Sequence, residues 1–415
     1  MVGIVITTVV ALANFPILAR GLGVSNRGSL ALILAVSEIG TNLFRFGIPE
    51  AVALLDKERV ASGRAIYRSA RRLSVSLLFL SIPIAVLLYH TLLDPLPRQE
   101  KALAAVLVGW SPVFDTLGIA RARFLSSRSD AVGMALASVI PSVVSLLGFS
   151  MLLLLGELSV TTAVLVTVFA SAASYSVSFI RIRFSATDDS PPSGALFSLA
   201  WRGAPYSAME AANLRLDQAV IPTLVGPTVL GKYAVANSLA NPLTRLGTVL
   251  AGGFYADIQL TSPDDGRGAA GKALRRSAAL VLISATIAMA LAPFTLPVLA
   301  GPGYSDALPM ALLLLPASAS LVIAIVLANL LGALGRPALA SWSQAGGLCV
   351  TVSLIVPAVL WRGGIGAAAV SLLSYSTRAA LGYYFIRRLG VTKVCPRRSD
   401  FRWALKLPTG RSHGP

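Results

Sequence analysis

Residues 307–333 read ALPMALLLLPASASLVIAIVLANLLGA, a block with no charged side chain. A helix of that length covers about 40 Å, more than the roughly 30 Å of hydrocarbon in a bilayer. Charge resumes where the block ends, with Asp306 before it and Arg336 shortly after. The rest of the chain follows the same rule. Hydrophobic residues fill 55% of its 415 positions and charged residues only 13%, whereas a soluble domain carries roughly 25% charged residues. There is too little polar surface here to cover a water-facing globule. The composition is that of a membrane protein.

Twelve such blocks recur, at 2–19, 28–50, 73–92, 102–124, 131–155, 159–180, 204–225, 229–256, 277–300, 307–333, 338–361 and 364–386. Several contain proline (Pro16, Pro83, Pro112, Pro141, Pro205, Pro242, Pro316 and Pro357), which a bundle tolerates where neighbours satisfy the freed carbonyls. The block at 2–19 has no basic region ahead of it and no small-residue cleavage site after it, so it is expected to span rather than to act as a signal peptide. Loops after even-numbered spans, counted with Arg121 and Arg123 at the end of the fourth block and together with the tail, hold 25 Lys and Arg, against 6 in loops after odd-numbered spans with Lys232 at the start of the eighth block included. Cationic loops stay on the cytoplasmic side, so both termini are expected to be cytoplasmic, in a cell membrane of the bacterial inner type. The net charge of +17 lies in these loops and the tail. It therefore points to anionic membrane lipids as partners and not to nucleic acid. The basic stretch 57–72 reads as a plain cytoplasmic loop in preference to an amphipathic helix on the lipid surface. Cys349 and Cys395 form no disulfide framework and no metal spacing, and neither a metal nor a cofactor is expected.

The segment Asp188-Asp189-Ser190-Pro191-Pro192-Ser193-Gly194 reads as a linker with six spans on either side. The expected organisation is a six-helix lobe over 1–187, a cytoplasmic linker over 188–195, a second six-helix lobe over 196–388 and a basic cytoplasmic tail over 389–415. The halves echo each other. Leu22-Gly23, Gly28 and Ala31 recur as Val225-Gly226, Gly231 and Ala234, and Phe44-Arg45-Phe46-Gly47 recurs as Thr244-Arg245-Leu246-Gly247. An even number of spans per half makes the repeats parallel. The expected fold is all-α and polytopic, with twelve transmembrane helices in two parallel lobes.

Charged side chains inside the membrane are costly and therefore informative. Span 2 carries Glu38, Asn42 and Arg45, and seven residues is about two turns, so Glu38 and Arg45 share a face. Span 8 carries Asn237, Asn241 and Arg245 at steps of four, a matching stripe on the repeat-related helix. Span 7 carries Glu210 and Asp217, with Arg215 roughly 200° around the helix from Asp217. Asp115 lies in span 4 and Arg378 in span 12. Glu50 and Asp257 sit near an interface and read as solvated helix ends. Internal pairing is the plain alternative for every acid and base in this set. Arg45 and Arg245 stand out because both halves place an arginine on an equivalent polar stripe. Paired guanidinium forks suit a pyrophosphate, whose oxygens they bind bidentately.

The chain resembles the polysaccharide-biosynthesis flippases of the multidrug, oligosaccharidyl-lipid and polysaccharide exporter superfamily. The residues that carry the likeness begin with Ile17-Leu18-Ala19-Arg20-Gly21-Leu22-Gly23, Arg27-Gly28 and Phe46-Gly47-Ile48-Pro49-Glu50-Ala51. They continue with Asn213-Leu214-Arg215-Leu216-Asp217, Leu230-Gly231-Lys232-Tyr233-Ala234-Val235-Ala236, Asn241-Pro242-Leu243 and Leu331-Gly332-Ala333-Leu334-Gly335-Arg336-Pro337. Many members have fourteen spans, and this chain has room for twelve. The resemblance implies a cationic cavity for a lipid-linked sugar, a polyprenyl pyrophosphate substrate, with polysaccharide polymerase machinery as a further partner. It places Arg45, Arg245, Arg378, Arg215, Asn42 and Asn241 as substrate-binding residues. Glu38, Asp115, Glu210 and Asp217 are left for ion coupling or pairing.

The expected activity is translocation by alternating access rather than catalysis. A cation-coupled drug exporter of the same superfamily is the first alternative, but span 1 holds Asn14 and Pro16 and no acid for coupling. A membrane glycosyltransferase or polymer ligase is the second, and the chain offers it no large outer loop and no aspartate cluster. A channel finds no filter-like segment.

Overall fold

The computed structural model describes residues 2–57, 63–94, 96–127, 131–181, 193–259, 263–392 and 394–405. These form α1 (Val2–Arg45), α2 (Ile48–Lys57), α3 (Gly63–Thr91), α4 (Arg98–Ser127), α5 (Ala131–Leu154), α6 (Val160–Arg181), α7 (Ser193–Val225), α8 (Pro227–Gln259), α9 (Pro263–Ala300), α10 (Ala307–Ala333), α11 (Pro337–Arg388) and α12 (Arg398–Leu405). A single 3₁₀ turn, Pro302–Tyr304, precedes α10. There is no strand among the described residues. Non-helical backbone at Gly23 and at Gly363 divides α1 and α11 into two helices each. With the short α2 and α12 set aside, twelve long helical segments remain, one for each span expected from hydropathy. The protein is an all-α, multi-pass membrane protein. Among the described residues, five stretches can cross a bilayer by length and hydropathy alone: Ile6–Arg45, Ala135–Leu154, Gly266–Ala300, Ala307–Ala333 and Pro337–Arg388. Others, such as α7 with Arg202, Glu210, Arg215 and Asp217, carry their charges within the helix.

Three helices begin well ahead of the apolar blocks they contain. α3 starts at Gly63, α7 at Ser193 and α9 at Pro263, because a helix continues into water wherever its backbone ladder can, whereas hydropathy registers only the hydrocarbon. Residues 63–72 are therefore helix and not the loop expected from their charge. Ala65, Ile66, Tyr67 and Ala70 are buried while Arg71 and Arg72 are exposed. The apolar face of this turn packs inside the protein, with Ile66 and Ala70 joining Ile48, Val52, Leu55, Ala120, Leu196 and Ala200 in one core. Span 2 differs in the other direction. It was expected to run to 50, but Phe46 (φ 47°) and Gly47 (φ 70°) break it after Arg45. A side chain at 47 would run into the Ala200 carbonyl and Gly203.

The internal repeat is visible in the backbone. Gly23 and Gly226, equivalent in the two halves, both have positive φ (73° and 89°) and both sit where one helix gives way to the next. Five residues on, Gly28 and Gly231 lie against each other. A β-carbon on Gly28 would collide with the Pro227 carbonyl and one on Gly231 with the Val24 carbonyl. The crossing of α1 and α8 is thus backbone on backbone. Beside it, Tyr304 donates from its hydroxyl to the Ala19 carbonyl at 3.0 Å, and Arg20 Nε donates to the Leu299 carbonyl at 3.2 Å. Burial pushes the Tyr304 phenol above its usual range, which keeps it a donor.

The chain divides into two compact units. One comprises Met1–Val235 with Leu299–Ser305 and Val359–Gly364, and the other comprises Ala236–Val298, Asp306–Ala358 and Ile365–Pro415. In the second unit, Ala270, Ala273 and Leu274 of α9 pack with Val326, Leu327, Leu330 and Leu331 of α10, and with Ile386 of α11 and Val391 beyond it. The first helix of the tail is held there too. Asp400 near the start of α12 accepts from the Arg397 amide at 2.9 Å and from Arg275 Nε at 3.2 Å, while the Arg276 guanidinium lies 4.7 Å from the Trp403 ring centroid. Most of the expected linker (188–192) and the tail from 406 lie outside the described residues. So do the side chains of Glu50, Arg64 and Asp257.

Candidate functional site

In the first unit, the polar residues of spans 2, 4 and 7 come together. The second half of α1 presents Glu38, Thr41, Asn42 and Arg45, which fall along one side at helical spacing. Asn42 Nδ2 donates back to the Glu38 carbonyl at 2.9 Å, and Arg45 Nη1 donates to Asn42 Oδ1 at 3.3 Å. Asn42 thus orients the arginine that ends the helix. Glu38 was expected to share a face with Arg45, and its carboxylate is engaged by Arg215 of α7. Arg215 Nε and Nη2 reach Glu38 Oε2 at 2.8 and 2.6 Å. Arg215 is therefore an ion-pair partner in this state, 177 positions away in sequence from the acid it meets.

Asp217 is 5% exposed and faces away from Arg215, as the helical wheel requires. Its Oδ2 accepts a hydrogen bond from the Tyr233 hydroxyl of α8, and its Oδ1 accepts from the Gln218 amide at 2.7 Å. Asp115 accepts from Ser171 of α6 and Thr41 of α1, with the Glu38 carboxylate as the neighbouring charge. Glu210 is half-buried on α7. Tyr233, Thr41 and Ser171 were not singled out from sequence. Tyr233 lies inside the Gly231-Lys232-Tyr233-Ala234 motif, whereas nothing local marks a hydroxyl in an apolar span as an acid's partner.

In the second unit, Asn241 and Arg245 of α8 are both exposed and one turn apart, so they present a polar stripe to the surroundings. Arg378 is different. It is 1% exposed, with Gly347 of the first half of α11 against its β-carbon. No group of three or more His, Cys, Asp or Glu placed to hold a metal ion occurs among the described residues.

The Glu38–Arg215 pair makes a quantitative prediction. Its side chains are 42% and 25% exposed, between a surface pair worth under about 1 kcal/mol and a buried pair whose breaking costs ~3–5 kcal/mol. Glu38→Ala and Arg215→Ala are each expected to lower thermal stability. The double variant should recover part of the loss, with a coupling energy of about 1–2 kcal/mol. Strictly additive losses in the purified variants would mean that the pair contributes nothing.

Comparison with known proteins follows the same lines. The family model described as polysaccharide biosynthesis protein matches residues 1–252. No curated protein matches the chain. Among solved structures, the lipid II flippase MurJ in an inward closed conformation superposes with a TM-score of 0.70 at 11% identity, covering 97% of this chain and 89% of that one. An inward-facing multidrug resistance MATE transporter gives 0.64 at 14% identity, covering 93% and 98%. A eukaryotic MATE transporter gives 0.64 at 14% identity, covering 97% of each. At these identities the likeness establishes the fold, which this chain shares over nearly its whole length.

Proposed function

Since the chain belongs to the polysaccharide biosynthesis protein family, we propose that it is a flippase. It carries a lipid-linked sugar, most simply an oligosaccharide on a polyprenyl pyrophosphate, from the cytoplasmic to the outer leaflet. The family match carries this reading, and the fold shared with a lipid II flippase supports it. The protein performs no covalent chemistry on its substrate. Two six-helix lobes, 1–187 and 196–388, rock about a fixed site, and the isoprenoid tail stays in the membrane while the sugar crosses.

Arg45 and Arg245 grip the phosphates. Each follows its repeat's close-packed glycine on the same helix, Gly28 and Gly231, by 17 and 14 residues, or roughly 26 and 21 Å of helix. Each has an asparagine one turn away, Asn42 or Asn241. Arg215 joins them when its pairing to Glu38 is released, whereas Arg378, at 1% exposure, is enclosed and does not touch the phosphates. Glu38, Asp115, Glu210 and Asp217 take up or release the coupling cation. The membrane is a bacterial-type inner membrane with both termini cytoplasmic. Basic loops contact anionic lipid, and a polymerase receives the product.

Two experiments address this. Cells lacking the protein should accumulate the lipid-linked sugar on the cytoplasmic face and lose surface polysaccharide, with drug sensitivity unchanged. Heightened sensitivity to cationic drugs with normal polysaccharide would favour the multidrug exporter, the other activity found on this fold. Tags placed after Arg398 and within 184–195 should both resist impermeant reagents in intact cells. Labelling of the linker from outside would overturn the orientation.

A further inference from the structure

Spans 9 to 12, residues 277–300, 307–333, 338–361 and 364–386, contain no aspartate or glutamate, and Arg378 is their only lysine or arginine. It is 1% exposed, and its Nε, Nη1 and Nη2 are all buried without a hydrogen-bond partner among the described residues. The neighbours are small and polar. Gly347 of the first half of α11 packs against the Arg378 β-carbon, and Gln344, one turn before Gly347, is fully buried. Ser374, one turn before Arg378, donates to the Gly347 carbonyl at 2.8 Å and accepts from Thr351 Oγ1 at 2.8 Å.

A buried lysine escapes such a setting by losing its proton, but a guanidinium stays charged at any pH the protein meets. A buried charge with neither counter-charge nor hydrogen bonds is among the most costly things a fold can contain. Water would satisfy the N–H groups and leave the charge, whereas an anion satisfies both. The four helices supply no carboxylate. The enclosure, at 1% exposure, suits an ion of a few ångströms better than the head group of a lipid.

We propose that Arg378 is the centre of a binding site for one small inorganic anion of halide size. The site holds the two halves of α11 together from within. This inference needs only burial and charge, and it stands whether or not the protein is a flippase.

The test uses the purified full chain, titrated with chloride against gluconate at constant ionic strength while thermal unfolding is followed. A single site predicts no dependence well below its dissociation constant. Above the dissociation constant, the apparent unfolding constant falls about tenfold for each tenfold rise in chloride. Crystals grown in bromide should show an anomalous peak within hydrogen-bond distance of the guanidinium. Arg378→Gln should abolish the chloride dependence; if that variant does not fold, the wild-type titration and the bromide peak decide alone. Equal stability in chloride and gluconate would overturn the proposal, as would a chloride dependence that persists unchanged in a folded Arg378→Gln variant. Stabilisation by inorganic phosphate or a polyprenyl pyrophosphate but not by chloride would also overturn it, because the site would then belong to a phosphate ligand.

Discussion

Alanine at Gly28 or at Gly231 is expected to destabilise the protein severely, by about 3 kcal/mol or more, the upper end of what overpacking costs. At most crowded positions a new methyl group displaces the end of a flexible side chain. Here it meets backbone, the Pro227 carbonyl in one case and the Val24 carbonyl in the other. The only relief is to part α1 from α8. That would disturb the neighbouring contacts, Tyr304 to the Ala19 carbonyl and Arg20 to the Leu299 carbonyl. Gly118 is the control, since a β-carbon there would meet nothing within 4 Å. Gly118→Ala should be neutral or stabilising by roughly 0.5–1 kcal/mol, because alanine loses less backbone freedom in a helix. Unfolding temperatures of the three purified variants check this. Equal midpoints for all three would show that the crossing is looser than the geometry describes.

Arg45→Ala and Arg245→Ala are each expected to abolish translocation without loss of protein or of membrane insertion. Glu38 is already held by Arg215 and Asp217 by Tyr233. Lysine should restore only part of the activity at either position, because ammonium keeps the charge and loses the planar fork. The effect at Arg45 should be reproduced more weakly by Asn42→Ala, since Asn42 receives the Arg45 hydrogen bond at 3.3 Å. Accumulation of lipid-linked substrate in cells carrying each variant is the measurement. Normal flux in the Arg45→Ala, Arg245→Ala double variant would remove the phosphate clamp from the account.

The spans were legible because hydrocarbon imposes a single demand, an apolar run of fixed length, and the twelve long segments follow the apolar runs. What hydropathy does not register is helix outside the bilayer, so the starts of α3, α7 and α9 and the helical turn at 63–72 were missed. The break after Arg45 was hidden as well. Phe46-Gly47 lies in an apolar context and breaks because of what it packs against, the Ala200 carbonyl and Gly203. The repeat was faintly visible, and its meaning is structural: Gly28 and Gly231, matched by position in sequence, are the residues at which the two helices touch. The intramembrane charges could be listed from sequence but not paired. Helical spacing correctly set Arg215 apart from Asp217, yet pointed Glu38 toward Arg45, whereas the tertiary fold brought in Arg215 from another helix.

The central claim, that this chain moves a lipid-linked sugar across a bilayer, is tested most directly in vesicles holding only the purified protein. A polyprenyl-pyrophosphate oligosaccharide is placed in the inner leaflet, and its sugar is detected as it becomes accessible to a glycosidase added outside. The account predicts accessibility well above that of protein-free vesicles, abolished by Arg45→Ala, with no transport of cationic dyes. Dye transport with the sugar remaining inaccessible, under the same ion gradients, would contradict it.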